Sequence, residues 1–174
     1  MNKYKRIVLI GFRGAGKSTL GKILAQRLDW SYISTDEMVE MRTEKSIAEI
    51  VKHSGWKKFR DAEHEVIRLV SKLTNTIIDC GGGVVENPSN MRFFKSDSLI
   101  VWIDADLADI INRISADHNI RPLLTQNDFQ SDSEKNYLNR RPLYDKYSDL
   151  RFSSSESTAE VICQLILKKL NQES

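Results

Sequence analysis

The chain predicts an α/β fold built around a parallel β-sheet. Three observations carry this. Short apolar runs alternate with helix-period segments five times along the sequence, the pattern of strand–helix–strand crossovers. Residues Gly11–Ser18, GFRGAGKS, lie between one such run and one such helix, where a phosphate-binding loop belongs. The 174 residues, 40% hydrophobic and 29% charged, suit one domain, 1–174, with a single sheet.

The elements follow in order. Lys5–Ile10 holds the apolar run Ile7-Val8-Leu9-Ile10 and reads as the first strand. Lys17–Leu28 repeats Leu20, Ile23, Leu24 and Leu28 at helical spacing. Ser31–Ser34 is a short second strand, and Glu37–Arg42 and Ser46–Lys52 are short helical pieces. Trp56–Leu73 is a longer helix with Phe59, Ala62, Val66, Leu69 and Val70 on one face. Thr76–Asp79 is a third strand running into Gly81-Gly82-Gly83, and Ser98–Ile103 a fourth. Leu107–Ile114 is a helix, with Asp106 favouring its N-terminus. Residues 115–131 are polar, carry Arg121-Pro122 and read as a mobile loop. Asp132–Lys146 is helical with an interruption at Pro142. Leu150–Ser153 is a last strand and Thr158–Leu170 an amphipathic closing helix.

Composition excludes several classes. A net charge of +2 gives no electrostatic ground for a nucleic-acid or anionic-membrane partner. Cys80 and Cys163 are too few for a disulfide framework. Lys3, Lys5 and Arg6 precede only four strongly apolar residues, too short a run for a signal-peptide core or a membrane span. The expectation is a cytoplasmic protein.

The residues able to carry chemistry gather at the predicted C-terminal strand ends, where ligands bind in parallel sheets. Gly14, Ala15 and Gly16 open the loop so that backbone N–H groups can wrap a diphosphate at a helix N-terminus. Lys17 can reach the β- and γ-phosphates, Ser18 can offer a hydroxyl to Mg²⁺, and Thr19 completes the motif. Asp36 directly follows the second strand. It can accept a proton from a substrate hydroxyl, or it can cap the helix at Glu37. Asp79 ends the third strand, like the Mg²⁺-side carboxylate of phosphate-loop enzymes, the alternative being a strand-end cap. The Gly81–Gly83 triplet allows close backbone approach to a ligand. Arg60, paired at i+3 with Glu63, can clamp a carboxylate, or the two can form a surface ion pair. Arg121 lies in the polar loop, where closure could bring it to the phosphoryl group. Arg140 or Arg141 could join Arg60 in gripping an anion. His53, His64 and His118 lack metal-ligand spacing, and Trp30, Trp56 and Trp102 read as packing residues.

Together these stretches resemble the shikimate kinases. The likeness rests on Gly11–Thr19, Thr35-Asp36 with Val39-Glu40, Ser46–Ile50, Gly55 with Phe59-Arg60 and Glu63, Gly81–Gly83, Arg121-Pro122-Leu123-Leu124, and Arg140 before Pro142-Leu143-Tyr144. The resemblance implies transfer of the ATP γ-phosphate to the 3-hydroxyl of shikimate, in the pathway to chorismate and the aromatic amino acids. It implies a three-layer αβα architecture with five parallel strands in the order 2-3-1-4-5 and a mobile lid over residues 115–127. It casts Lys17, Asp36 and Arg121 as catalytic. Asp36, Arg60, the Gly81–Gly83 triplet and Arg140 hold shikimate. Gly14 to Thr19, Arg113 near adenine, and Arg121 bind ATP, and Ser18 with Asp79 serves Mg²⁺. A monomer is the family expectation.

Two departures stand out. The family usually has aspartate where this chain has Ser34, and Ser, Thr or Ala where it has Asp79. An exchange of carboxylates between two strand ends would conserve the charge near Mg²⁺. Residues 153–157 also lack a basic residue that some members place beside adenine. Competing readings are a kinase of another hydroxylated acid such as gluconate, a nucleoside-monophosphate kinase, and a non-catalytic ATP- or shikimate-sensing module. Arg60 and Arg140 favour a carboxylate substrate, and intact Lys17, Ser18, Asp36 and Arg121 favour catalysis.

Overall fold

A computed structural model describes residues 3–116 and 129–172. Its five strands are β1 (Arg6–Ile10), β2 (Ser31–Ser34), β3 (Thr76–Asp79), β4 (Ser98–Asp104) and β5 (Leu150–Ser153). They form one sheet in the order β2-β3-β1-β4-β5, and each neighbouring pair is parallel. The expected order is therefore observed.

Strand alternation builds two cores. Val8, Ile10, Ile78, Ile100 and Trp102 face one side, and Ile7, Leu9, Ile77, Leu99, Val101 and Ile103 face the other. Both faces of the central strands β1, β3 and β4 are buried, so β1 and β4 read as near-continuous apolar runs. On the first side α3 (Ile47–Val70) supplies Phe59, Val66, Ile67 and Val70, and α6 (Phe129–Tyr147) supplies Tyr137 and Tyr144. On the second, α1 (Lys17–Leu28) supplies Leu20 and Leu24, and α7 (Ala159–Gln172) supplies Ile162 and Ile166. Each fully buried aliphatic or aromatic side chain contributes roughly 1.5–3 kcal/mol. The helices on both faces make the three layers that the resemblance implies.

The differences from expectation are local. α2 (Thr35–Thr43) starts two residues early because Ser34 caps it, accepting from the Glu37 N–H at 3.3 Å. Asp36 is therefore not the cap of this helix. The two expected pieces Ser46–Lys52 and Trp56–Leu73 form one α3, bent where Gly55 takes φ 77° and ψ 167°. A Ser46–Glu49 capping box starts it. Pro142 does not interrupt α6. Its missing N–H orphans the carbonyl of Leu138, whose exposed position lets water serve instead, while buried Tyr137 and Tyr144 hold the helix down. α6 also begins at Phe129 rather than Asp132. Residues 115 and 116, expected to be in a loop, close α5 (Leu107–Ala116). After the glycine triplet come a single 3-10 turn, Val84–Glu86, and α4 (Pro88–Arg92), with Asn87 as cap and Pro88 in the first turn. The sequence reading assigned neither. The rest of the expected lid, with Arg121, lies outside the described residues. Among the described residues no helix is long and apolar enough to cross a membrane.

Candidate active site

Two adjoining clefts open at the C-terminal strand ends. One is lined by Gly14, Gly16, Lys17, Ser18, Thr19, Ser34, Asp79, Arg113 and neighbours. The other is lined by Phe12, Ile47, Trp56, Phe59, Arg60, Glu63, Gly83, Asn136, Arg140 and others. Arg13, Asp36, Gly81 and Gly82 border both. Asp36 thus stands between a phosphate-binding side and a side rich in arginine.

The loop's shape comes from its glycines. Gly11 takes φ 142°, and a side chain there would collide with the Ile103 carbonyl. Gly16, left-handed at φ 93°, caps α1 without a side chain, so the helix starts at Lys17 with its N-terminal dipole turned to the cleft. Lys17 is 8% exposed, and its Nζ donates to the carbonyls of Gly11 and Phe12 at 3.0 and 3.1 Å. The Ala15 N–H donates to the Phe12 carbonyl at 3.2 Å. Arg113, from α5, reaches back to the loop, donating to the Gly14 carbonyl at 3.1 Å and to Ser154 Oγ at 2.8 Å. It ties the phosphate loop to the turn after β5.

The carboxylate of Asp79 is buried beneath the loop. Ser18 Oγ donates to its Oδ2 at 2.6 Å and the Tyr32 hydroxyl at 2.8 Å. Burial and the Asp79 charge push the Tyr32 phenol up, so Tyr32 stays a protonated donor. Ser34 pairs in register with Asp79 across β2 and β3. The two positions where carboxylates differ from the family pattern are therefore neighbours.

The second cleft is built on the glycine triplet. A Cβ on Gly81 would stand 2.5 Å from Asp36 Oδ1 and 3.1 Å from Glu63 Oε1, and one on Gly83 would collide with the Arg60 guanidinium. A side chain at either position would push these charged groups out of place. The Gly81 N–H is taken by Thr35 Oγ1 at 3.0 Å. The Gly82 carbonyl accepts from the Tyr144 hydroxyl at 2.5 Å, which pins the triplet to α6. Arg60 donates to Glu63 Oε2 at 2.8 Å, so the pair is a cleft feature and not a surface ion pair. Glu63 is almost fully buried, and its Oε1 has no hydrogen-bond partner among the described residues. Burial pushes its carboxyl up to about 7, against the pull of Arg60 and with help from Asp36 and Glu86. Arg140 is buried and meets Glu86, Nε to Oε1 at 2.8 Å. Arg141 instead faces Asp104, at 3.8 Å, on the other side of α6, which leaves Arg140 as the partner of Arg60.

Three participants escaped the sequence reading. Arg13 was passed over as a spacer within the loop motif. Tyr144 lies at i+4 from Arg140, on the same helix face, and that spacing could have found it. Glu86 sits in a segment without periodicity, and no local signal marks it.

A phosphate loop, a carboxylate at the end of the adjacent strand and an arginine-lined acceptor cleft define a nucleotide-dependent phosphotransferase of small molecules. The comparisons narrow the class. A family model described as shikimate kinase matches residues 13–171, and the chain belongs to the shikimate kinase family. It is 38% identical over 163 residues to a shikimate kinase of Caldicellulosiruptor bescii, covering 94% of each chain. It is 35% identical over 173 residues to one of Dehalococcoides mccartyi, covering 99% of this chain and 97% of the relative. Among solved structures it is similar to the Acinetobacter baumannii shikimate kinase in complex with shikimate, at 26% identity and a TM-score of 0.89, covering 97% of this chain and 94% of that one. The Aquifex aeolicus shikimate kinase is 33% identical with a TM-score of 0.81, covering 95% and 96%. The chain is accordingly an ATP-dependent kinase whose reaction gives shikimate 3-phosphate and ADP, a step toward chorismate and the aromatic amino acids.

Proposed function

We propose that the two clefts divide the reaction between them, with Asp36 at the junction. ATP lies on the loop from Gly14 to Thr19 and against Arg113, and shikimate lies in the arginine-lined cleft. Arg60 and Arg140 hold the shikimate carboxylate. Asp36, at the opposite wall, takes the hydrogen bond or proton of the 3-hydroxyl as it attacks the γ-phosphorus. The glycine triplet supplies the floor on which the ring rests. Lys17 meets the charge that spreads over the transferring phosphoryl group. Arg121 is proposed to join it from the expected lid. The observation that carries this reading is the position of Asp36, which lines both clefts. The protein is proposed to act as a cytoplasmic monomer of one domain.

The oxygen donors beside the loop suit Mg²⁺, a hard cation that keeps several waters and takes one or two protein ligands. Ser18 donates a hydrogen bond to Asp79, which leaves the hydroxyl lone pairs available to a cation. Asp79 Oδ1 remains to orient metal-bound water. When bound, the ion would neutralise phosphate charge. We infer that Asp79 does here what an aspartate at the position of Ser34 does in relatives.

Asp79→Asn should raise the Mg²⁺ concentration for half-maximal rate about ten- to a hundredfold, the usual cost of losing an outer-shell partner. Binding of Mn²⁺ to the protein–ADP complex, read by electron paramagnetic resonance, should weaken in parallel. Adding Ser34→Asp should recover part of both losses, because neighbouring positions couple. An unchanged metal dependence in Asp79→Asn would reduce Asp79 to a strand-end cap. The carboxylate grip is tested separately by Arg60→Ala, in which shikimate affinity must fall.

A further inference from the structure

Arg60 and Arg140 already share a carboxylate in this structure, and it belongs to the protein. Glu86 lies on the 3-10 turn just after the glycine triplet. Its Oε1 is 2.8 Å from Arg140 Nε and its Oε2 is 3.3 Å from Arg60 Nη2. One oxygen serves each guanidinium, which is the way a bound carboxylate would bridge the same two side chains.

The two glutamates that meet these arginines differ in how they are held. Glu63 is 1% exposed and fixed within α3, so it cannot leave. The Glu86 side chain is 41% exposed and sits on a three-residue turn. Among the described residues it makes no hydrogen bond except the one to Arg140. Its carboxylate can rotate into water provided that another carboxylate pairs the buried Arg140 in the same step.

We propose that Glu86 is a displaceable internal carboxylate. It spans Arg60 and Arg140 while the cleft is empty and yields them to the carboxylate of the incoming acid. Binding is then an exchange of one carboxylate for another. Glu86 lowers the affinity for acids by the strength of the pair that must be given up. Neutral molecules gain nothing by entering, since they cannot replace the bridge. Glu86 thus sets both the affinity and the selection for anionic acceptors. This rests on the reading of Arg60 and Arg140 as the carboxylate grip.

The test compares shikimate with an analogue bearing a hydroxymethyl group in place of the carboxylate, on wild type, Glu86→Gln and Glu86→Asp. Glu86→Gln keeps the size of the side chain and removes its charge. It should lower the KM for shikimate by at least about twofold, since the incoming acid no longer has to displace a charged partner. The change should fall on KM rather than kcat, and the KM of the neutral analogue should not fall. Glu86→Asp, which keeps the charge, should lie closer to wild type. Equal melting temperatures of the three proteins, read by calorimetry, show that folding is not the source. A raised or unchanged KM for shikimate in Glu86→Gln would overturn the proposal, as would an equal fall for acid and analogue. Failure of the grip itself looks different, because wild type would then bind acid and analogue alike.

Discussion

Replacing Lys17 by alanine should lower kcat by roughly a hundred- to a thousandfold, the loss expected when one preorganised donor to a developing charge is removed. The KM for shikimate should change little. Lys17 lines the phosphate-side cleft and is absent from the wall of the acceptor cleft. Its ammonium donates to two backbone carbonyls of the loop. A γ-phosphate offers this buried cation a partner whose charge is redistributed during transfer. An interaction that grows toward the transition state appears in kcat, and one equal in both states appears in KM. Backbone N–H groups around Gly14 and Gly16 would still bind nucleotide in the variant. Steady-state rates at saturating ATP and shikimate measure the effect. A kcat within a few-fold of wild type would remove Lys17 from the chemical step.

Arg60→Ala should raise the KM for shikimate on the order of a hundredfold and leave kcat within about tenfold. A bidentate guanidinium–carboxylate contact remote from the reacting hydroxyl exists in ground and transition states alike. Losing it costs about 2–3 kcal/mol, the lower part of the range for truncated charge pairs because Arg60 is 25% exposed. Removing Arg60 also removes the positive charge that holds the Glu63 carboxyl down. Losing that charge acts to push the Glu63 carboxyl further up, so its charge opposes the substrate less and the rise in KM reports mainly lost grip. Initial-rate measurement with shikimate varied at saturating ATP checks this. An unchanged KM would take Arg60 out of the acceptor site.

Where the residues speak locally, the sequence is easy to read. The expected bounds of β2, β3, β5 and α1 are those observed, although β2 and β5 alternate polar with apolar residues. The phosphate loop is legible because its function needs fixed spacing along one stretch of chain. The errors come where distant parts decide. Pro142 looks like a break in α6, yet Tyr137 and Tyr144 anchor that helix in the core. Asp36 looks like a cap until the side chain of Ser34 is seen to take that role. The nearness of Ser34 and Asp79 requires the β2–β3 pairing, which the motif order alone does not define. Glu86 meets Arg140 across 54 residues. Nothing within its own segment, Val84–Glu86, announces that partner, because the contact exists only once α6 crosses the glycine triplet.

The division of the site into a carboxylate grip and a hydroxyl end is tested most directly without any mutation. Coupled assay of ADP release would compare shikimate with the analogue whose carboxylate is replaced by hydroxymethyl. The ring hydroxyls, proposed to face Asp36, are the same in both, and only the group proposed to lie between Arg60 and Arg140 differs. The KM of the analogue should be higher by at least about tenfold, the value of one lost charge-assisted contact, while kcat at saturation stays within a few-fold. Equal KM values for acid and analogue would contradict the assignment of Arg60 and Arg140, and with it the placement of shikimate in this cleft.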